Sequence, residues 1–500
     1  MKFFLAAKKL DINSGDELIC IINEADATEY GIGVNAGDRV SLKWGGLEDP
    51  LIATVDTTET IVNEGEIGLY EDIWKKNAVE DKTVIEISLL DQTESAASIR
   101  KKLLGERLDY KDFFYIMRDI ANGKLNEILV SVFIAAGYSP GFDKEEILLM
   151  TKALAMTGDI LKFNGTVADK HSIGGVAGKG VTPIVVPVLA ANGLTVPNTS
   201  TRAVTSASAT TDMLEVLMPM SFNRRQLEEM IDKNGVFMVW GGGLDLAPAD
   251  DEIIRYQKSL GIESIDKFVS SIMAKKIAQG VNHVIFDVPV GPSTKIHEGE
   301  FSEVKNMFDL LGMEFGMKVH VHKRPIDGID GNAVGPALEC REFLRIYEQH
   351  TEKSQQLENA ALEMAGIVLE MTDKAAKGQG FDLAQETLYS GKAERKLREI
   401  IEMQGGDPEV TSDSLEVGGI VYEYKAPKSG VIEYIHNKRM FEVAKALGNP
   451  RIKEAGLYIH KHPGQEVKSG ELLATLYAAS EVRLELGKKV VEQDKVFVIK

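Results

Sequence analysis

The sequence predicts a multidomain α/β protein. Its parts in order are an N-terminal β-rich domain, a helical domain, a central α/β domain with a mostly parallel sheet, and a C-terminal α+β sandwich-like domain. Three observations lead there. The 500 residues exceed one core, at roughly 150 residues per domain. Near residue 94 the hydrophobic pattern changes from strand-like to helical. Between about 165 and 345, apolar runs alternate with helical patterns, as in a sheet covered by helices.

Residues 1–86 are the first domain. The short runs Glu17–Ile22, Arg39–Trp44 and Val84–Ser88 are rich in β-branched residues and punctuated by Gly, Asn and Asp. No catalytic cluster shows there. The helical domain occupies 87–163. Leu125, Ile128, Leu129 and Val132 recur at i, i+3, i+4 and i+7 and line one helix face. Asp109 is a candidate cap for a helix carrying Phe113, Ile116 and Ile120. Gly123, Gly137 and Gly158 mark helix ends.

The α/β domain is placed at 164–410. Its candidate strands are Leu194–Pro197, Val236–Trp240, Val284–Val288 and Lys318–His322, apolar enough for burial on both faces. Helices are expected at about 210–218, 224–234, 267–278 and 334–348, with more from 350 to about 405. The C-terminal domain, 411–500, returns to turn-punctuated strands within Lys428–Ile435 and His462–Leu473.

Acidic residues outnumber basic ones by 76 to 57, a net charge of −19. Tracking a polynucleotide needs a basic surface, so no nucleic-acid partner is expected. One small anion in a local basic pocket remains compatible. Cys20 and Cys340 are too few for a disulfide framework and suit a reducing cytoplasm. Met1–Ala7 has only a short apolar run before Lys8 and Lys9, unlike a secretory leader. The longest apolar stretch, near Val181–Ala191, is about half a bilayer span and holds Pro183 and Pro187. The expectation is a cytoplasmic protein with no membrane partner.

Four segments carry chemistry. Asp169–Pro183 packs four glycines, two lysines, a serine and a threonine between structured stretches. Glycines let backbone N–H groups approach an anion, and a following helix N-terminus adds positive charge. Thr182 and Pro183 read as an N-cap and first helical residue. The triphosphate-loop pattern fails, because Gly180 follows Lys179 where Ser or Thr is needed. Asn198–Glu215 holds eight Ser or Thr residues and Arg202, a donor field for phosphate and sugar oxygens or a set of helix caps. The third segment, Trp240–Asp251, runs from a strand end into a glycine turn. The fourth includes Ile262, Glu263 and the helical run Ser270–Lys276, where Ser271 and Lys275 share a face.

Taken in this order, the segments resemble the nucleoside phosphorylase family that includes thymidine and pyrimidine-nucleoside phosphorylases. The matching motifs are Lys-His-Ser-x-Gly-Gly at 170–175, Ser-x-Arg with Thr-x-Asp-x-x-Glu at 200–215, Ala-Pro-Ala-Asp at 247–250 and Ser-Ile-x-Ala-Lys-Lys at 271–276. Asn332–Glu339 resembles a later family segment. The extra domain at 1–86 and the long glycine loop resemble the branch of the family that cleaves AMP.

The resemblance implies reversible phosphorolysis of a nucleoside 5′-monophosphate, with inorganic phosphate as co-substrate and no cofactor. By the same resemblance, Lys170, Ser172, Ser200 and Thr210 hold the attacking phosphate. Gly175, Thr201, Arg202, Ala203, Val204, Thr205, Ser206 and Thr210 contact the nucleotide, as do Ser271, Lys275 and Lys295. Glu263 stands at the proton donor, where the branch has an aspartate. His171 is a base contact or a hydrogen-bonded loop histidine. A homodimer or larger homo-oligomer is implied. No metal is implied, although His320 with His322, and His460 with His462, alternate on candidate strands.

Departures are visible. Ala209 replaces a family glycine, and alanine penalises a positive φ. An acid or polar residue is common where Lys179 or Gly180 stands. Tyr256 occupies the place of an arginine that holds the pyrimidine ring in thymidine phosphorylases, with Arg255 beside it, which favours a nucleotide substrate. The alternatives are a thymidine or pyrimidine-nucleoside phosphorylase, a catalytically weakened nucleotide sensor or scaffold, and phosphoribosyl transfer from a diphosphate. The last lacks an evident acidic metal–diphosphate motif.

Overall fold

The computed structural model describes residues 2–500 apart from 16, 30–33, 48–49, 90–93, 140, 179, 204–205, 245, 262–263 and 494–495. The chain divides into two compact units, Met1–Gly158 with Ala247–Ala274, and Asp159–Leu246 with Lys275–Lys500.

The first unit opens with a closed barrel of six strands: Lys2–Lys9, Ile19–Asn23, Arg39–Lys43, Leu51–Thr58, Glu66–Leu69 and Val84–Leu89. Phe3, Leu5 and Ala7 face inward while Lys2 and Phe4 face out, the two-residue alternation of a strand. The first and last strands pair antiparallel and close the ring, which removes the exposed edges.

Four helices follow, Glu94–Leu103, Tyr110–Ala121, Glu127–Tyr138 and Lys144–Met156. Asp109 caps the second, accepting from the Asp112 N–H, and Phe113, Ile116 and Ile120 are buried. The third helix corrects an expectation. Ile128 is 72% exposed, and the buried face carries Val130, Phe133, Ile134 and Gly137. This segment is apolar nearly all round, so two faces fit the same spacing, and the one holding the aromatic ring is buried. Gly137 stands one residue before the helix ends at Tyr138, as expected, and an added Cβ there would meet the Phe142 ring.

The sequence reading keeps 164–410 together. The structure instead groups Ala247–Ala274 with the helical part. Helix Pro248–Leu260 packs on Tyr110–Ala121 and Glu127–Tyr138. The buried Lys267 ammonium donates to the Ile134 carbonyl at 2.6 Å, and burial lowers its pKa to about 8.

The second unit centres on parallel strands. In spatial order they are Lys318–Pro325, His283–Val290 and Ala168–Ser172, then Val196–Ser200 and Val236–Trp240. A parallel bridge between Val167 and Thr195 links the two groups, and every pairing among them is parallel. Helices Thr182–Ala191, Gln355–Met371, Gly380–Tyr389 and Lys392–Met403 share one apolar core with these strands. In chain order the sheet reads fifth, fourth, first, second, third. The direction of winding therefore reverses beside Ala168–Ser172, next to His283–Val290. In open parallel sheets, ligands bind at the carboxyl ends of such a pair.

The C-terminal part of this unit has two antiparallel sheets with helices Asn437–Leu447 and Glu481–Gln493. One sheet takes in the short strand Ala333–Val334 from the preceding region. Among the described residues, no helix is long and apolar enough to cross a membrane.

Candidate active site

Lys170, His171 and Ser172 end the first strand of the parallel sheet, at the reversal point. Lys170 is 3% exposed. Its ammonium donates to Thr182 Oγ1 at 3.2 Å and lies 3.9 Å from Asp287 Oδ2. Burial pushes its pKa below the ordinary lysine value, with Asp287 opposing that shift. Ser172 Oγ donates to Asp287 Oδ2 at 2.9 Å. Arg324, at the end of the neighbouring strand, grips both oxygens of Asp287 at 2.9 and 3.0 Å and also pairs with Asp330. Sequence reasoning missed Asp287, Arg324 and Asp330. Each is a lone polar residue with no motif around it; the parallel register sets the strands of Asp287 and Arg324 side by side, and Asp330 joins them from the segment that follows the second strand.

Behind this cluster, Asp169 is fully buried. It accepts from the Lys276 ammonium at 2.5 Å, from Asn198 Nδ2 at 2.7 Å and from the Lys170 N–H at 2.8 Å. Lys276 donates also to Gln279 Oε1 at 3.0 Å. The charge of Asp169 is thus matched at close range, which a buried carboxylate requires.

The glycine loop leaves the strand at residue 173. Gly175 has φ +87, and an added Cβ would lie 2.8 Å from the Lys295 backbone nitrogen. Only glycine allows this backbone to pack on the 291–297 turn. Thr182 is the first helical residue rather than the cap; Val181 takes the cap position without a side-chain bond. The Thr182 hydroxyl serves Lys170 instead. His171 lies on the strand, not in the loop, with its ring centroid 6.4 Å from that of Phe286 and the two planes at 67°. Gly180 packs on Leu357, 2.9 Å from where a Cβ would be, which leaves little room for an acid there. Lys179 lies outside the described residues.

Ser200 ends the next strand, and its hydroxyl bonds Thr211 Oγ1 at 2.8 Å. Thr210 starts the short helix Thr210–Leu214. Ala209 has φ −130, so the methyl group carries none of the positive-φ penalty expected of it. Asp212 closes the hydroxyl-rich loop, accepting from the Ala203 N–H at 2.6 Å and the Ala209 N–H at 3.0 Å. Arg202 stacks over the Trp240 ring at 4.0 Å and donates to Glu215 at 2.8 Å. Glu215 also holds Lys453 at 2.9 Å. Thr201 and Ser206 lie on the same loop; Val204 and Thr205 are outside the described residues, as is Glu263.

The structure gathers Lys170, Ser172, Gly175 and Lys295 at the reversal point, with Ser200, Thr201, Arg202, Ala203, Ser206 and Thr210 at the end of the adjoining strand. Lys275 belongs to the same unit. Ser271 belongs to the first unit, where its hydroxyl donates to Asp250 Oδ2 at 2.6 Å. Among the described residues, no group of three or more His, Cys, Asp or Glu is arranged to hold a metal ion.

The segment Asn332–Glu339 is fixed by two buried acids. Glu339 accepts from the Gly335 N–H at 3.0 Å, and Glu342 accepts from the Asn332 and Ala333 N–H groups. Burial raises the Glu339 pKa to about 8 and that of Glu342 to about 7. A pKa raised by folding gives stability that is full below the unfolded value and is lost as pH climbs through the folded value. Glu339 therefore contributes stability at acid pH that is lost between about pH 4.5 and pH 8. In Glu339→Gln this loss should be smaller, with a gain over wild type at pH 8 and above. Parallel thermal-melt curves across that range would contradict this assignment.

Family models match three stretches. Residues 164–394 match the a/b domain of a glycosyl transferase family, 96–158 its helical bundle domain, and 431–497 the pyrimidine nucleoside phosphorylase C-terminal domain. Anthranilate phosphoribosyltransferase from Thermus thermophilus has a similar fold, with TM-score 0.51 and 17% identity, covering 61% of this chain and 99% of that one. Much more similar in sequence are proteins named AMP phosphorylase. That of Methanococcoides burtonii is 36% identical, over 99% of this chain and 97% of its own. That of Methanosarcina acetivorans is 37% identical over the same shares. That of Methanocella arvoryzae is 38% identical, over 97% of this chain and 95% of its own. Identity at this level along nearly the whole length, with the three domain matches in order, places the chain in the AMP phosphorylase family.

Proposed function

We propose that the chain catalyses reversible phosphorolysis of nucleoside 5′-monophosphates, AMP first, giving free base and ribose 1,5-bisphosphate. The observation that carries this reading is the cluster at the sheet's reversal point. There a buried lysine, a serine and an arginine-bridged carboxylate stand beside a glycine loop packed on the Lys295 turn. The near-full-length relatives named AMP phosphorylase support the same substrate.

In this reading a phosphate oxygen attacks C1′ of the ribose. The C1′–N bond breaks, its electron pair goes to the base, and the base takes up a proton. Charge at the sugar resembles an oxocarbenium ion, as in other glycosyl cleavages. Lys170, Ser172, Ser200 and Thr210 bind the attacking phosphate, and a dianion beside the Lys170 ammonium offsets its burial. Gly175, the run Thr201–Ser206, Ser271, Lys275 and Lys295 orient the nucleotide. Glu263 supplies the proton to the leaving base and His171 contacts the base. Arg255 already has partners, donating to the Tyr256 hydroxyl at 2.9 Å and lying 3.3 Å from Glu252. This speaks against its use as a pyrimidine clamp and favours a nucleotide.

The test is base release from AMP, CMP, UMP and thymidine in the presence of phosphate, read by chromatography. AMP turnover is expected. Turnover of thymidine with none of the 5′-monophosphates would replace this reading with a nucleoside phosphorylase. Binding without base release would mark a nucleotide sensor.

A further inference from the structure

Asn437 begins the helix Asn437–Leu447 in the C-terminal part of the second unit and is 1% exposed. Its Oδ1 accepts from the Ala177 N–H at 2.9 Å. Its Nδ2 donates to the Gly328 carbonyl at 2.9 Å and to Ser293 Oγ at 3.2 Å. Its own N–H donates to the same Ser293 Oγ at 3.1 Å. One buried amide therefore ties together the segments that follow three adjacent parallel strands.

Their positions matter. Ala177 lies two residues beyond Gly175, and Ser293 two residues before Lys295. Gly175 and Lys295 touch so closely that a Cβ on the glycine would lie 2.9 Å from the Lys295 Cβ. Gly328 precedes Asp330, whose N–H donates to the Ala177 carbonyl at 3.0 Å and whose carboxylate holds Arg324. The spacing of the glycine loop and the Lys295 turn is thus set by a residue outside both.

We propose that Asn437 is a positioning residue for the nucleotide half of the site: it holds the glycine loop and the Lys295 turn at the separation that receives the nucleotide. Lys170 and Ser172 lie on the strand before the loop, and the links from Asn437 reach them only indirectly, through Asp330, Arg324 and Asp287. The proposal rests on the phosphorolysis reading, because Gly175 and Lys295 are taken there as nucleotide contacts. The buried amide has all three of its polar hydrogen-bond links directed into these segments, which makes a packing role alone an incomplete account.

The experiment uses the full chain with Asn437→Ala, Asn437→Asp and Ser293→Ala. Asn437→Asp keeps the acceptor for Ala177 but loses the donor to Gly328, so it serves if the alanine variant folds poorly. The KM for AMP should rise about tenfold or more in the Asn437 variants, and the KM for phosphate should stay within about threefold. Ser293→Ala should shift the same way by less. Hydrogen exchange should speed up in both 173–178 and 291–297. A loss of kcat with both KM values unchanged, or both raised equally, would overturn the proposal. So would unchanged exchange in either segment. If wild type fails to turn over AMP, the phosphorolysis reading falls, and hydrogen exchange alone then decides whether Asn437 sets the two loops.

Discussion

Lys170→Met should lower kcat/KM for phosphate by about 10²–10³-fold, the usual cost of removing one preorganised donor to developing charge. The side chain is unbranched and similar in length, so the packing space stays filled. Folding should survive, because an ammonium with its pKa pushed down by burial is held at a cost that methionine does not carry. Arg324 remains to balance Asp287 and Asp330. The alkaline limb of the wild-type pH profile for phosphate should lie below the ordinary lysine range and be absent from the variant. Steady-state kinetics at varied phosphate and a thermal melt check both halves. A change of less than threefold in kcat/KM would remove Lys170 from the phosphate site.

Much of this site was legible in the sequence, for physical reasons that differ by residue. The strand Val236–Trp240 and the helix Arg224–Asn234 form where their apolar pattern placed them. The glycine loop stood out because backbone crowding against Lys295 demands glycine at 175, and that demand is written in composition. Asp287, Arg324 and Asp330 left no such trace, because their meeting depends on strand register and on the path of the chain beyond Pro325. Asn437 was invisible for a related reason: it serves loops more than a hundred residues away in sequence. The hydrophobic period misled at Leu125–Val132, where an all-round apolar helix offers two equivalent faces. The Thr182 cap failed because its hydroxyl found a stronger tertiary partner in Lys170.

Lys276→Met should destabilise the protein by about 3–5 kcal/mol, the range for breaking a buried ion pair from one side. Lys276 is 1% exposed and Asp169 fully buried, with 2.5 Å between ammonium and carboxylate. Without the lysine, the donors left to Asp169 among the described residues are the neutral Asn198 amide and the Lys170 N–H. The double variant Asp169→Asn with Lys276→Met should recover part of the loss, since the uncompensated charge is gone. Denaturant unfolding measures both. A loss below about 1 kcal/mol in the single variant would place the pair among weak, solvated contacts. Because Asp169 precedes Lys170 on the strand, activity should fall with stability in the single variant, which separates it from Lys170→Met.

The central claim is that phosphate itself attacks C1′ of a nucleotide held at the sheet's reversal point. Phosphate carrying ¹⁸O in all its oxygens, incubated with AMP, tests it directly by mass spectrometry of the sugar product. Direct attack gives ribose 1,5-bisphosphate with the label throughout the 1-phosphate, including the oxygen bridging to C1, and an equal amount of adenine. Adenine released with unlabelled ribose 5-phosphate would mean that water attacks, and would contradict it.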